Sequence, residues 1–157
     1  VKLDANGYKL IQNFEGLSLV PYLCSAKVAT IGWGATFYPS GIKVTMQDKP
    51  ISLATASWMF RTIADRFAVD VDKLITSKVT QNQFNALVSI AYNIGIGSEL
   101  LNRKGGFIKS TLLKKVNINP SDPTIATEFA KWNKVGGKVV NGLTKRRAVE
   151  AKLYFTK

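Results

Sequence analysis

The 157-residue chain has no histidine, a single cysteine at Cys24, and 10 acidic residues against 22 lysines and arginines. Without histidine, Ser-His-Asp and Cys-His nucleophilic pairs are excluded, as are His-containing zinc hydrolase sites. One cysteine permits no intrachain disulfide, so stability rests on packing, and Cys24 is free or joined to another chain. No apolar run approaches the roughly 20 residues that a membrane helix needs, and no membrane span is expected. The N-terminal VKLDANGYKL lacks the apolar core of a signal peptide. Internal repeats and low-complexity segments are absent too. The chemistry left open is that of carboxylates.

What is present is an ordinary globular composition, 46% hydrophobic and 20% charged, in a length that suits one domain with a core of its own. The charge is uneven. Residues 1–99 carry 9 basic and 7 acidic side chains, whereas residues 100–157 carry 13 and 3. A basic field of this kind attracts polyanions, among them nucleic acid, anionic lipid and anionic cell-wall polymers. Only five of the 22 cations are arginines, so bidentate readout of bases is not suggested, and no specific nucleic-acid partner is expected.

Asp4 as an N-cap, the spacing of Tyr8, Ile11 and Phe14, and the stop at Gly16 predict a helix over 4–15. Its last residue is Glu15. A carboxylate there meets the negative end of the helix dipole, which suits an acid that must hold its proton. Tyr22, Val28, Thr30, Ile31 and Trp33 are strand formers separated by Ser25, Ala26 and Lys27, which predicts a β-hairpin. With its turn centred on Lys27, Cys24 and Thr30 face each other on one side. Gly32 and Gly34 alternate in the second strand, leaving one face open to close approach by a ligand or another backbone.

Residues 37–51 read as loop or short strand. From Ser52 the apolar series Ala56, Met59, Phe60, Ile63, Phe67, Val71, Leu74 predicts one helix of more than 20 residues, long enough to join two lobes. Thr80 and Gln83 form a capping box that opens a helix ending at Gly95 and Gly97. Three more helices are expected: 107–116, Asp122 (N-cap, with Pro123 following) to Trp132, and 144–155. The stretch VGGKVVNG reads as a loop between the last two.

Glycosidic bonds are cleaved by a protonated acid at the leaving oxygen together with a group that activates water or attacks the sugar. Glu15 is the candidate acid. No other Asp or Glu lies between residues 5 and 47, so Cys24 and Thr30 are the nearest polar substitutes for a second carboxylate. Taken singly, each has a plainer explanation: a solvated helix-end charge, a small buried thiol, a β-branched strand residue.

Their joint spacing resembles a known pattern. The segment F-E-G-L-x-L-x-x-Y-x-C-x(5)-T-I-G-W-G, with Glu15, Cys24 and Thr30 separated by eight and five residues, is similar to the active-site signature of phage-type lysozymes, the endolysins of glycoside hydrolase family 24. Similarity continues through VTQNQFNALVSIAYNIG, through Phe107, Ser110 and Thr111, and through the glycine-rich R-R-x-x-E ending from Gly136 to Glu150. Two positions depart from the family pattern: Cys24 stands where Asp is most frequent, and Ala35 where a histidine is common.

The resemblance implies an α+β, mainly helical, two-lobed lysozyme-like fold in a single domain. It comprises a small lobe with the hairpin at about 16–52, a bridging helix at about 53–75, and a helical lobe at about 76–157 joined by the helix 4–15. It also implies muramidase activity on the β-1,4 bond between N-acetylmuramic acid and N-acetylglucosamine of peptidoglycan. The enzyme would be a monomer without metal or cofactor, made in the host cytoplasm and acting on the wall after the membrane is permeabilised, to release phage. Glu15, Cys24 and Thr30 take the catalytic positions. Arg146 or Arg147 would reach Glu15 across the lobes, and Trp33, Tyr92, Phe107 and Ser110 are candidates for lining the sugar cleft. Two other readings stay open: a lytic transglycosylase on the same bond, and a non-catalytic basic protein that binds wall polymer or nucleic acid.

Overall fold

A computed structural model of the protein describes residues 1–97 and 105–157, so the predicted helical lobe at 76–157 includes a stretch, 98–104, outside the described residues. The chain begins with α1 (Ala5–Glu15), whose N-terminus is capped by the Asp4 carboxylate accepting from the Gly7 amide. It ends where predicted, at Gly16, whose φ of 64° takes the backbone out of the helix.

Strands β1 (Ser18–Leu23) and β2 (Ala29–Gly32) form the expected antiparallel hairpin, with a register irregularity between Ser18 and Tyr22. Pro21, which has no amide hydrogen for the ladder, sits in that irregular stretch. The turn differs from expectation by one residue. Cys24 donates its amide to Val28, and Thr30 pairs with Tyr22, so the centre is Ala26 and not Lys27. Lys27 takes the left-handed conformation (φ 58°) that closes a three-residue hairpin loop. Moving the centre by one residue moves every partner by two, which preserves the face. Cys24 and Thr30 are therefore diagonal neighbours on one side of the ribbon, not direct partners.

The long helix α2 (Leu53–Leu74) starts at Ser52, as expected, with the serine hydroxyl accepting from the Thr55 amide. It serves two cores. Phe60, Ala64, Ala68 and Val71 enter the main cluster with Ile11, Phe84, Leu87, Ile90, Leu112 and Phe129, while Met59 joins Ile31, Ala35 and Val44 in a small cluster beside the hairpin. Helix α3 (Gln81–Ile94) carries the predicted Thr80/Gln83 capping box and stops at Gly95. It lies at the centre of the helical body, with every residue from Phe84 to Ala91 buried and α1, α2 and α6 packed around it.

The C-terminal third departs more from the sequence expectation. Instead of one helix over 107–116, a single 3-10 turn (Phe107–Lys109) precedes α4 (Thr111–Ile118). Ser110 divides them. Its hydroxyl donates to the Phe107 carbonyl and accepts from the Leu113 amide, which stops one helix and starts the next. Helix α5 (Ile125–Ala130) is shorter than the predicted Asp122–Trp132. The Asp122 carboxylate does take up the Thr124 amide, but the first turn closes with i→i+3 bonds. The expected loop over 135–142 is a second hairpin, β3 (Lys134–Val135) and β4 (Lys138–Val139), turning on Gly136 and Gly137 with positive φ at both. Because that hairpin returns the chain early, α6 (Asn141–Tyr154) begins three residues before the expected 144. Among the described residues no helix is long and apolar enough to cross a membrane.

Glu128 of α5 is buried and accepts from Lys115 at 2.8 Å and Lys131 at 3.0 Å, clasping α4 to α5. The hydrogen bond from Lys115 holds its carboxyl below the ordinary glutamate value against the opposing effect of burial. A depressed folded-state value contributes stability above the unfolded value of about 4.3, and this is lost as the pH falls through the folded one. Glu128→Gln is expected to lower stability at pH 7 by about 1–2 kcal/mol. Melting curves of variant and wild type should converge below about pH 4, and a constant gap down to pH 3 would contradict this account.

Candidate active site

Glu15 is the last residue of α1, and the turn at Gly16 lets its side chain leave the helix end toward β2. Its carboxylate is 15% exposed and accepts from Arg146 Nη1 at 2.6 Å, a contact spanning 131 residues of sequence. The other side of the carboxylate lies against Gly34. A Cβ at position 34 would overlap it, 2.9 Å from Cδ. The open backbone foreseen at Gly34 is thus occupied by Glu15 itself, whereas a Cβ at Gly32 would meet only Ala56 and Ile51, at 4.0 Å. Gly34 also lies outside β2, in a tight turn closed by the reciprocal Ile31–Ala35 amide bonds. Ala35, where the family pattern has a histidine, is buried in the small core.

Arg146 belongs to a buried network. Its Nε donates to Glu150 Oε1 (3.1 Å), its Nη2 to the Ser89 carbonyl (3.3 Å), and its plane covers the Phe14 ring. Glu150 is fully buried and also accepts from Ser89 Oγ (2.7 Å) and Arg147 Nη1 (2.8 Å). Arg147 continues to the side-chain oxygen of Asn93, leaving its own Nε without a partner among the described residues. Burial pushes the Glu150 carboxyl up and Arg147 down to about 10, while their mutual attraction opposes both shifts. Of the two arginines considered for Glu15, Arg146 makes the contact and Arg147 does not.

Across the hairpin, Cys24 is a free, half-buried thiol. Burial acts to raise its pKa, but hydrogen bonding, chiefly from the backbone of Val28 and Ala26, outweighs burial and holds the thiol below its ordinary value. Thr30 is buried, and its hydroxyl donates to the Val28 carbonyl at 2.9 Å. A water at Thr30 would therefore find an acceptor and not a donor. Tyr22, which the sequence marks only as a strand former, lies opposite Thr30. Burial raises its phenol, and the charges of Glu15 and Cys24 raise it further.

A cleft of about 700 Å³ runs between residues 34–38, α2 at Ile63, Arg66, Phe67 and Asp70, and the end of α3 from Tyr92 to Gly97. Of the proposed lining residues, Tyr92 is there, donating its hydroxyl to the Trp33 carbonyl at 2.7 Å. Burial, and then the charge of Glu15, raise this phenol well above its usual range. Trp33 itself packs on Phe60. Phe107 and Ser110 are not cleft residues: Phe107 is fully enclosed in the main core, and the Ser110 hydroxyl is spent in both directions on backbone. Arg147 is likewise buried and meets the cleft only through Asn93, a lining residue that sequence reasoning passed over. The signal for the network was in the sequence as opposite charges at i, i+3 and i+4 in R-R-x-x-E, a spacing that puts them on one helical face.

The phage lysozyme family model matches residues 12–150. The endolysin of Bacillus phage B103 is 41% identical over 99% of this chain, which spans 55% of that protein, or about half its length. Among solved structures, the endolysin from Escherichia coli O157:H7 phage FAHEc1 superposes with a TM-score of 0.80 at 33% identity, covering 99% of this chain and 94% of that one. The muramidase domain of SpmX from Asticaccaulis excentricus superposes with a TM-score of 0.72 at 32% identity, covering 99% of both chains.

Proposed function

The chain belongs to the phage lysozyme family, and from that premise we propose that it is a muramidase that hydrolyses the β-1,4 bond between N-acetylmuramic acid and N-acetylglucosamine in peptidoglycan. The observation that carries this reading is Glu15, held at 2.6 Å by a buried arginine and lying against Gly34, which lines the cleft although Glu15, Cys24 and Thr30 are not among its lining residues. Glu15 gives its proton to the leaving oxygen as the C1–O4 bond breaks. Water adds at C1, and Cys24, as the thiolate that its surroundings favour, takes the proton of that water. Thr30 fixes the water by accepting from it, since its own proton is held by Val28.

The small hairpin core and the helical body form two lobes on either side of the cleft, and α2, which contributes to both cores, joins them. The protein acts as a monomer on the wall after release from the cytoplasm in which it is made, and its basic C-terminal part holds it on an anionic wall.

Mass analysis of muropeptides released from purified peptidoglycan tests the reaction. Reducing N-acetylmuramic acid ends are expected. Anhydro ends would make the protein a lytic transglycosylase. No release, together with salt-sensitive DNA binding, would make it a binding protein. The role of Cys24 is tested by a pair of variants. Cys24→Ser, whose hydroxyl is no base at neutral pH, is expected to lose about 100-fold in rate, and Cys24→Asp to regain most of it. Full activity in the serine variant would remove the thiolate from the mechanism.

A further inference from the structure

We propose that Glu150 is a positioning residue that fixes the direction and the charge balance of Arg146 against Glu15, an inference that rests on Glu15 acting as the acid. Three of Arg146's donors are committed. Nε goes to Glu150 and Nη2 to the Ser89 carbonyl, which leaves Nη1 aimed at Glu15. Glu150 is fixed in turn by the Ser89 hydroxyl from α3 and by Arg147 from its own helix. All of this lies in the interior, with Arg146 4%, Arg147 1% and Glu150 0% exposed. A guanidinium anchored on Glu150 and on the Ser89 carbonyl keeps Nη1 in place when the Glu15 carboxylate moves, so Glu150 helps to determine where the acid rests.

The charges make the role measurable. With Glu15 ionised, two guanidiniums meet two carboxylates. Among the described residues, the other titratable side chains that feel the charge of Glu15 are Tyr22 from β1 and Tyr92 from α3, and burial keeps both phenols protonated and neutral. Removing the charge of Glu150 leaves the two guanidiniums with Glu15 as the one carboxylate of the network, which favours its charged form. An acid that must be protonated then stops working at a lower pH.

Glu150→Gln is therefore expected to move the alkaline limb of the kcat/KM profile on purified peptidoglycan to lower pH by about one unit. Ser89→Ala, which removes a hydrogen bond from the same carboxylate but no charge, should leave the limb in place. Arg147→Met, which removes a guanidinium, should move it to higher pH and serves if Glu150→Gln does not fold. A folded Glu150→Gln protein with a lower rate but an unmoved limb would overturn the proposal, as would an Arg147→Met limb that is unmoved or shifted down. Carboxyl 13C NMR titration of Glu15 in wild type and Glu150→Gln reads the same shift without turnover. A wild type that clears no peptidoglycan would then refute the muramidase reading while the titration still decides the role of Glu150.

Discussion

Glu15→Gln is expected to slow clearing of purified peptidoglycan by about 100- to 10,000-fold, the range associated with a positioned general acid. Glutamine has the size and shape of glutamate and still offers Arg146 a carbonyl oxygen, so the cleft keeps its geometry. What it cannot do is give a proton to the leaving oxygen. The excess positive charge of Arg146 remains shared with Glu150, the second carboxylate on the same guanidinium, which keeps the variant folded. Far-UV circular dichroism checks the fold and turbidity loss of a wall suspension checks the rate. Clearing near the wild-type rate by a folded variant would remove Glu15 from the acid position.

The next largest effect is expected from Gly34→Ala, a single methyl group. With φ at 76°, an alanine there is strained by about 1–2 kcal/mol whatever surrounds it. Its Cβ would also overlap the Glu15 carboxylate, 2.9 Å from Cδ, while Arg146 holds the other side. The carboxylate has to move, and displacement of a catalytic group by about 1 Å costs roughly 100-fold in rate. Gly136→Ala is the control. Its φ of 57° carries the same backbone strain, and a Cβ there meets nothing within 4 Å. Both variants should lose stability in thermal melts, but only Gly34→Ala should lose activity in proportion to the displaced acid. Equal rates in the two would show that Gly34 matters to the turn alone.

The helices were legible where their signals are local. Asp4, Ser52 and Thr80 each cap the helix that their position predicts, because a cap is a bond to a backbone amide two or three residues away. Elsewhere, local signals competed. Ser110 could join a helix or break one, and its two backbone bonds broke it. Gly136 and Gly137 read as a loop, yet two adjacent positive φ angles suit a tight hairpin. Helix α6 hid its buried face because the residues it turns inward, Arg146, Arg147, Glu150 and Tyr154, include three charges, so no apolar stripe marks them.

The sequence by itself determined that the chain is mainly helical with a hairpin after the first helix, that Glu15 stands at a helix end before Gly16, and that Cys24 and Thr30 share a face. These follow from bonds and periodicities within a few residues, and the shared face survived an error in the turn because strand parity tolerates a shift of two. Tertiary structure alone decided which arginine meets Glu15, that Gly34 yields its space to that carboxylate, and that Phe107 and Ser110 belong to the interior and not to the cleft. Those outcomes depend on how α3 packs against α1, α6 and the 3-10 turn at Phe107. A contact between residues 131 positions apart is set by that packing, not by any spacing along the chain.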